Sequence, residues 1–317
     1  MGAFSRLLFF GTPDFAVPTL EALVDAGRRP IRVITQPPRP VGRGRKVQPP
    51  PVALVAQRLG LPVMFPQRVR ETEFLDEMAA LEPDLAVVVA FGQIFPARLL
   101  AIPRFGCVNL HASLLPAYRG AAPIQAAVAA GDSETGVSTM VMEQGLDSGP
   151  VLLQASTPIA EGETAEELSD RLAKLGADLV LRTLEAFENE TLTPKPQDAS
   201  LATYAPRISK DDGRVDWRRD AGELARRLRA FTPWPGLSAE LRGVPLKILD
   251  ARPVAAVPGT VNGEPGTFLG IVDGFLAVRS GDGSVLGLGR VQRPGRKAVS
   301  AVDLVNGERL RPGETFH

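Results

Sequence analysis

Residues 105–150 read FGCVNLHASLLPAYRGAAPIQAAVAAGDSETGVSTMVMEQGLDSGP, and they combine an apolar run with a cluster of polar and turn residues. Its first apolar run, Gly106–Leu110, is bounded by glycine and by turn residues, which predicts a short buried strand. Asn109 and His111 lie two residues apart, so a strand would project both side chains from one face. Proline and glycine then punctuate the chain and predict a loop. We therefore expect a strand that ends in a polar pair, as at the ligand-binding edge of an open α/β sheet.

Three polar side chains of this stretch suit acyl transfer to an amine: the amide of Asn109, the imidazole of His111 and the carboxylate of Asp147. The only other histidine is residue 317, so His111 is the one internal imidazole. An amide can donate to a developing oxyanion, while an imidazole and a carboxylate can manage protons. The residues alone leave a second interpretation open. His111 would then be a hydrogen-bonded structural residue, and Asp147, between two glycines, a turn former.

The N-terminal part predicts an α/β domain. Arg6–Phe10 (RLLFF) indicates a buried strand, and GTPD leads into a helix over Phe15–Ala26 that Asp14 would cap. Leu85–Ala90 (LAVVVA) is apolar throughout, which is typical of a parallel strand covered on both faces. The G-x-G-x-x-G fingerprint is missing, which disfavours a nicotinamide dinucleotide cofactor.

The other elements alternate, so the fold class expected is a Rossmann-like, doubly wound α/β domain. Strands are predicted at Ile31–Thr35, Leu61–Met64, Thr135–Glu143 and Val151–Pro158. Helices are predicted at Pro51–Leu59, Glu71–Leu81, Pro123–Ala130 and Thr164–Asn189. Thr164 and Glu167 have the spacing of a capping box at the start of the last helix.

Beyond this domain the sequence changes character. LTPKPQ begins a Pro-rich spacer, and a helix is predicted over Ala221–Phe231. Short β-like runs separated by glycine follow: SAEL, PLKIL, GTV, GTFLGIV, FLAVRS and VLGLGRV. Such closely spaced short strands predict a small β-barrel. The expected organisation is a catalytic domain at 1–190, a linker at 191–207 and a β-barrel domain at 208–317.

Composition narrows the class of protein. A chain of 317 residues with one cysteine, Cys107, is long enough for two cores and has no disulfide framework or Cys-rich zinc site. Cys107 lies in the apolar strand and is expected to be a small buried core residue. No metal site is visible, no apolar run reaches about 18 residues and no signal peptide is evident. We expect a cytoplasmic monomer.

Two basic segments are candidates for contact with a polyanion. The Pro- and Gly-rich stretch Gln36–Pro51 carries Arg39, Arg43, Arg45 and Lys46, and RVQRPGRKA near the end carries Arg293, Arg296 and Lys297. Net charge is zero, yet residues 208–317 hold 17 Lys and Arg against 13 Asp and Glu. The first segment is equally well explained as a solvated loop. A lone charge run such as the second is more often a solvated surface than a binding site.

The motif N-x-H-x-S-L-L-P-x-Y-R-G-x-x-P-I-Q, followed by G-L-D-x-G, resembles that of the formyltetrahydrofolate-dependent formyltransferases. Within them the chain is similar to those that act on methionyl-initiator-tRNA. The likeness extends over FFGTPDFAVPTLEAL, TQPPRPVGRGRK, TYAPRISKDDGRVDW and RAFTPWPG, so it covers nearly the whole chain. It implies 10-formyltetrahydrofolate as the formyl donor and an OB-fold-like second domain.

The resemblance also assigns residues. Asn109, His111 and Asp147 match the family's catalytic trio. The folate-contacting segment matches Ser113, Leu114, Leu115 and Pro116, and the turn at Phe91 and Gly92 would wall the folate pocket. The loop that holds Arg39, Arg43, Arg45 and Lys46 would reach the end of the tRNA acceptor stem. Arg293, Arg296 and Lys297 would contact tRNA phosphates. Formyl transfer to a small amine, a binding protein that has kept the scaffold, and a dehydrogenase of similar layout are the alternatives.

Overall fold

The computed structural model describes residues 4–41, 46–255 and 263–317, which form two compact units. The first unit comprises the residues up to Pro123, Glu134–Pro158 and Leu168–Ala205. The second comprises Ile124–Ser133, Ile159–Glu167 and Pro206–His317. Residues 191–205, which the sequence predicts to be linker, thus belong to the first unit.

A seven-stranded mixed sheet organises the first unit. Its strands are β1 (Leu7–Gly11), β2 (Arg32–Ile34), β5 (Val63–Met64), β6 (Leu85–Val89), β7 (Cys107–His111), β9 (Glu134–Val141) and β10 (Val151–Pro158). Their order is β10-β9-β7-β6-β1-β2-β5, parallel from β7 to β5 and antiparallel from β7 to β10. The chain runs outwards from β1 in both directions, so a crevice is expected at the carboxyl ends of β1 and β6.

Two short ribbons and six helices complete this part of the chain. The ribbons pair β3 (Arg39–Val41) with β4 (Lys46–Gln48), and β8 (Arg119–Gly120) with β11 (Tyr204–Ala205). The helices are α1 (Val17–Asp25), α2 (Pro51–Arg58), α3 (Thr72–Ala80), α4 (Ala97–Leu100), α5 (Pro123–Ala130) and α6 (Ala165–Glu188). The predicted strands and helices up to residue 190 are thus present, with ends shifted by one or two residues.

The core of the first unit lies on both faces of the sheet. Every residue from Leu7 to Phe10 is buried, so both faces of β1 are covered. On one face Phe10 contacts Phe91 and Phe95 edge to face, with ring centroids 5.3 and 4.9 Å away. The continuous apolar runs of β1 and β6 follow from this burial on both sides.

One of the two predicted helix caps is confirmed and the other is wrong. At α6, the Thr164 amide donates to Glu167 Oε2 at 2.9 Å and the Glu167 amide donates to Thr164 Oγ1 at 3.3 Å, which confirms the capping box. The predicted Asp14 cap is wrong. A 3-10 turn already begins at Asp14, so Pro13 holds the capping position and offers no side-chain acceptor.

From Pro206 onwards, the described part of the second unit is an antiparallel sheet with two α-helices. The strands are β12 (Leu237–Leu241), β13 (Val244–Val254), β14 (Phe268–Val272), β15 (Phe275–Arg279), β16 (Val285–Gln292) and β17 (Val299–Ser300). Their order is β12-β13-β16-β15-β14, and β17 pairs with β16. The helices are α7 (Ala221–Ala230), as predicted, and α8 (Ala301–Glu308), which the sequence analysis missed. The predicted strand GTV lies outside the described residues.

The segment 313–317 joins the two edge strands of this sheet. The Phe268 amide donates to the Glu314 carbonyl at 2.8 Å, and the Phe316 amide donates to the Gly266 carbonyl at 2.8 Å. On the other side the His317 amide donates to the Glu240 carbonyl at 2.8 Å. Both open edges are therefore covered, and the sheet closes as a barrel does. The predicted class, an α/β domain followed by a small barrel-like β domain, is confirmed.

Phe316 tests the importance of this closure. Its side chain is 1% exposed and its ring lies 6.1 Å from that of Trp217. Phe316→Ala should lower the free energy of unfolding by about 3–5 kcal/mol, as for a buried Phe elsewhere. Chemical denaturation measures it, with Ile271→Ala on exposed β14 as the control at about 0.5 kcal/mol or less. Equal values for the two variants would show that the segment does not close the barrel.

Candidate active site

The two faces of strand β7 differ, because one packs against α6 and the other carries polar side chains at its carboxyl end. A Cβ atom at Gly176 of α6 would lie 2.5 Å from Leu110 Cδ2, so the helix lies directly on Leu110 and leaves no room for a larger residue. Asn109 and His111 flank Leu110 and point the other way. Cys107, Asn109 and His111 therefore share one face of β7. Cys107 lies in the core, and the other two place an amide and an imidazole at the carboxyl end of the strand.

His111 is held between a carbonyl and a carboxylate. Its Nε2 atom lies 2.9 Å from the Tyr118 carbonyl oxygen. A carbonyl only accepts, so Nε2 carries the proton and the neutral ring has its lone pair on Nδ1. Nδ1 faces Asp147 Oδ2 at 3.7 Å. A proton that arrives at Nδ1 would therefore lie between the ring and the carboxylate.

Asp147 reaches His111 because the β9–β10 loop folds back over the sheet. Strand β9 runs antiparallel to β7 and ends with Val141 opposite Val108, three residues before His111. The carboxylate is fixed by the Gly120 amide, which donates to Asp147 Oδ2 at 2.8 Å. Gly149 permits the tight return, since a Cβ atom there would lie 1.9 Å from the Val141 carbonyl oxygen.

Residues without glycine's freedom adopt left-handed backbone angles around this site. Ala90, Tyr118 and Asp147 have φ of +46°, +56° and +47°. Such conformations cost on the order of 1 kcal/mol or more and persist where the surroundings fix them, often at functional sites. The site is therefore built by tightly constrained loops.

Two polar groups remain unused at the centre of the site. Within the described ranges, the side-chain amide of Asn109 and the Oδ1 atom of Asp147 make no hydrogen bond. Both residues are partly exposed, so a ligand or water can reach them. An unpaired amide, an imidazole and an unpaired carboxylate oxygen together provide a donor for an oxyanion and acceptors for protons.

The loop from Ser113 to Pro116 is held by side chains from the neighbouring strands. Ser138 Oγ donates to the Ser113 carbonyl at 2.6 Å and accepts from the Leu115 amide at 3.0 Å. Gln154 donates to the Leu115 carbonyl at 3.0 Å. Ser113 itself is buried and donates to the Ala117 carbonyl, so its hydroxyl proton is already used. Leu114 and Pro116 are the more exposed members of this loop.

The turn at Phe91 and Gly92 differs from expectation in one respect. The sequence predicts that this turn walls the folate pocket, but the ring of Phe91 is 2% exposed and belongs to the core cluster. Only its carbonyl faces the strand ends, where it accepts from Thr12 Oγ1 at 2.9 Å and Gln36 Nε2 at 3.1 Å. Gly92 is exposed and remains available to a ligand.

Buried Arg119 and half-buried Gln197 form a hydrogen-bonded pair that supports the Asp147 loop and that no sequence motif predicts. Gln197 donates to the carbonyl oxygens of Asp147 at 2.8 Å and Gly149 at 2.7 Å. Its own carbonyl accepts from Arg119 Nε at 3.1 Å and Nη2 at 2.8 Å. Gln197 lies in a Pro-rich stretch that predicts only a spacer, so the one available signal was Arg119 inside the YRG motif.

The candidate tRNA-contacting cations differ in whether the protein already provides them with a hydrogen-bond or ion-pair partner. Arg293 forms a two-pronged ion pair with Glu308, at 2.9 and 2.6 Å, and donates to the Val244 carbonyl. We therefore assign it to the stability of the second unit. Arg296 and Lys297 are exposed and have no ion pair among the described residues. Arg39 donates to Gln36 Oε1 and Lys46 is exposed, whereas Arg43 and Arg45 lie outside the described residues.

The described residues hold neither a candidate metal cluster nor a helix able to span a membrane. Across 4–41, 46–255 and 263–317, no cluster of three or more His, Cys, Asp or Glu could hold a metal ion. No helix within these ranges combines the length and the apolar character needed to cross a bilayer.

Known proteins identify the family. The formyl transferase family matches residues 5–184, and the formyl transferase C-terminal domain matches residues 207–309. The chain belongs to the formyl transferase family. It is 50% identical over 310 residues to the methionyl-tRNA formyltransferase of Stutzerimonas stutzeri, covering 97% of each chain. It is 47% identical over 310 residues to that of Halorhodospira halophila, covering 98% of each.

Solved structures share the fold at low sequence identity. The N-formyltransferase from Helicobacter canadensis, solved with folinic acid and dTDP-3-aminofucose, is 18% identical with a TM-score of 0.65, covering 91% of this chain and 99% of that one. HypX from Aquifex aeolicus, solved with tetrahydrofolic acid, is 17% identical with a TM-score of 0.61, covering 96% of this chain and 47% of that one.

Cys107, two residues before Asn109, is a core residue as predicted. Its side chain is 1% exposed, and burial raises the pKa of the thiol to about 12. The folded chain therefore keeps the proton at pH values where the unfolded chain, with a thiol pKa near 8.5, releases it. This contribution to stability is complete below about pH 8.5 and is lost as the pH rises towards 12.

The buried thiol should resist alkylation. At pH 9 we expect iodoacetamide to label Cys107 on the order of 10³-fold more slowly in the native protein than in denaturant, because only the thiolate reacts and the two thiolate fractions differ by about that factor. Mass spectrometry follows the single adduct over time. Equal rates in the two conditions would mean that the strand carrying Asn109 is open to solvent.

Proposed function

We propose that this chain transfers the formyl group of 10-formyltetrahydrofolate to the α-amino group of methionyl-initiator-tRNA. The products are N-formylmethionyl-tRNA, which serves translation initiation, and tetrahydrofolate. The observation that carries the proposal is the unpaired amide of Asn109 beside His111 and Asp147, in a chain similar over nearly its full length to methionyl-tRNA formyltransferases. Because the acceptor is a charged tRNA, we expect the enzyme to work in the cytoplasm.

The reaction needs one nucleophilic attack and two proton movements. The amine nitrogen attacks the formyl carbon, and the carbonyl π electrons move to oxygen. The amide N–H of Asn109 donates to that oxyanion. When the intermediate collapses, the bond between the formyl carbon and N10 of the folate breaks, and N10 takes a proton while the amine loses one. His111 Nδ1, facing Asp147 at 3.7 Å, is placed to receive and return the proton.

The folate site in this proposal surrounds the trio. The backbone of the loop Ser113–Pro116, fixed by Ser138 and Gln154, and exposed Gly92 would contact the pterin. Leu114 and Pro116, the more exposed members of the loop, would supply apolar surface, with buried Leu115 behind them. The buried Phe91 ring supports this turn from the core and is not proposed to touch the ligand.

Contacts with tRNA would come from both basic segments. Arg39 and Lys46, on the ribbon that flanks residues 42–45, together with Arg43 and Arg45, suit the phosphates and unpaired bases at the acceptor end. On the barrel domain, 208–317, Arg296 and Lys297 are the proposed phosphate contacts because no carboxylate of the described residues neutralises them.

Asn109→Ala tests the chemistry. Loss of one oxyanion donor typically lowers kcat by on the order of 10²–10³-fold. We expect that loss in a transfer assay with 10-formyltetrahydrofolate and methionyl-initiator-tRNA, followed as formylmethionine released by deacylation. The matched control is Asn189→Ala at an exposed position beyond α6, which should turn over normally. Near-normal turnover by Asn109→Ala would remove the assignment of the oxyanion donor.

The choice of acceptor can be tested in the same assay. A sugar nucleotide amine or glycinamide nucleotide replaces the tRNA, and deacylated tRNA is added as a competitor. We expect no turnover with the small amines and inhibition by the tRNA. Turnover with a small amine alone would keep the trio and discard the tRNA substrate, and turnover with neither acceptor would indicate a binding protein.

The phosphate contacts predict a change in salt dependence. The double variant Arg296→Ala with Lys297→Ala should bind tRNA more weakly and flatten the plot of log affinity against log salt by about 0.7–0.9 for each lost contact. Filter binding across a salt series measures the slope. Lys174→Ala, an exposed lysine of α6, is the control and should leave the slope unchanged. An unchanged slope in the double variant would place tRNA elsewhere.

A further inference from the structure

We propose that Gln197 is a positioning residue for catalysis, which holds the carboxylate of Asp147 against His111. The proposal rests on the proposed formyl transfer and deepens it, because it adds the segment 191–205 to the machinery of the site. Gln197 lies outside the central motif and far from Asp147 in sequence. It acts through the loop that carries Asp147 and is not proposed to touch either substrate.

The need for such a residue follows from the topology. Strand β9 ends opposite Val108, at the amino-terminal side of β7, while His111 ends that strand. At about 3.3 Å per residue, the loop after β9 must return by roughly 10 Å to bring Asp147 to the imidazole. Leu146, the residue before Asp147, is 61% exposed and does not anchor the return through burial. Hydrogen bonds must therefore hold the loop in place.

Gln197 supplies these bonds on both sides of the carboxylate. Its two N–H groups donate to the carbonyl oxygens of Asp147, at 2.8 Å, and Gly149, at 2.7 Å. A primary amide has two donors and two acceptor lone pairs. The two bonds from Arg119 to Gln197 Oε1 complete this capacity, so the amide has one satisfied orientation. That orientation fixes the backbone from which the Asp147 side chain projects.

The same segment also holds the opposite side of His111. The Tyr118 amide donates to Thr203 Oγ1 at 2.8 Å, and the Arg119 amide donates to the Thr203 carbonyl at 2.8 Å. The Tyr118 carbonyl is the partner of His111 Nε2. Gly120 approaches the β11 backbone so closely that a Cβ atom would lie 2.6 Å from the Ala205 carbonyl oxygen. Residues 197–205 thus position both groups between which the imidazole lies.

Two substitutions separate positioning from mere stability. Gln197→Met keeps the approximate length of the side chain and removes its hydrogen bonds to Arg119, Asp147 and Gly149. Gln197→Glu keeps an acceptor for Arg119 but presents no N–H group to the loop. A displacement of about 1 Å can cost on the order of 10²-fold in rate. We expect both variants to lower kcat by about 10- to 100-fold, with KM for each substrate changed less than about 3-fold.

Thermal unfolding and a matched variant provide the controls. Gln57→Met makes the same chemical change at an exposed position of α2 and should behave as wild type. The melting temperature of Gln197→Glu, which keeps an acceptor for Arg119, should stay close to that of the wild type while kcat falls. Gln197→Met leaves the buried guanidinium of Arg119 without this acceptor and should melt at a lower temperature. Wild-type kcat in Gln197→Glu would overturn the proposal, because that variant lacks both donors to the loop.

A double-mutant cycle with Asp147→Asn decides whether Gln197 acts through Asp147. If it does, adding Gln197→Met to Asp147→Asn should lower kcat further by less than about 2-fold, since residues acting as a unit are not additive. A full additional 10- to 100-fold loss would assign Gln197 a role independent of the carboxylate and overturn the proposal.

The wild-type arm keeps the two proposals separate. If wild type formylates methionyl-initiator-tRNA and the Gln197 variants do so equally well, the positioning role fails and the proposed function stands. If wild type formylates no acceptor, the proposed function fails. The Gln197 proposal fails with it, because it concerns that reaction.

Discussion

The return of the β9–β10 loop over the sheet is the constraint on which the site depends. Strand β9 is antiparallel to β7 and therefore ends near the amino end of β7, whereas His111 lies at the carboxyl end. Asp147 reaches His111 only because the loop after β9 folds back. The return requires a left-handed backbone at Asp147, a glycine at 149 and hydrogen bonds from Gly120 and Gln197. The left-handed backbone costs free energy, and the hydrogen bonds are specific to this loop, so the sheet itself requires neither. The geometry of the carboxylate is therefore the feature that this part of the chain is built to preserve.

Charge at the site is organised by hydrogen bonds rather than by ion pairs. Arg119 is 6% exposed, yet its guanidinium donates to the neutral carbonyl of Gln197. A direct ion pair between Arg119 and Asp147 would occupy the carboxylate that faces His111. The intervening amide passes the positional constraint to the backbone of Asp147 and leaves Oδ1 unoccupied. This division of roles suits a carboxylate that must stay available during a reaction.

The sequence predicts most of the fold because local signals and global pattern agree. Apolar runs marked β1 and β6, and the Thr164–Glu167 spacing marked the start of α6, since both signals lie within a few neighbouring residues. The closure of the barrel by residues 313–317 was not predictable in this way. Its pairing with Gly266 and Glu240 joins distant segments and leaves no pattern within the segment itself. Asp14 failed as a cap because the turn begins one residue earlier than the sequence signal implies.

In the site, too, the predictable features are those set by neighbouring residues, and the unpredictable ones depend on partners distant in sequence. Alternation along β7 was enough to place Asn109 and His111 on one face, and the family motif supplied Asp147. The roles of arginines were not accessible from sequence, because Arg293 and Arg296 stand three residues apart in one basic run. Only Arg293 pairs with Glu308, a residue of α8, which the sequence did not predict.

Gln197 is the residue least predictable from the sequence. Its neighbours in sequence are prolines and charged residues typical of a spacer, and its importance comes entirely from the three backbone and side-chain partners that folding brings to it. A polar residue whose full hydrogen-bonding capacity is met by distant partners is therefore invisible to motif reasoning, although it can govern a catalytic loop as strictly as any residue of the motif.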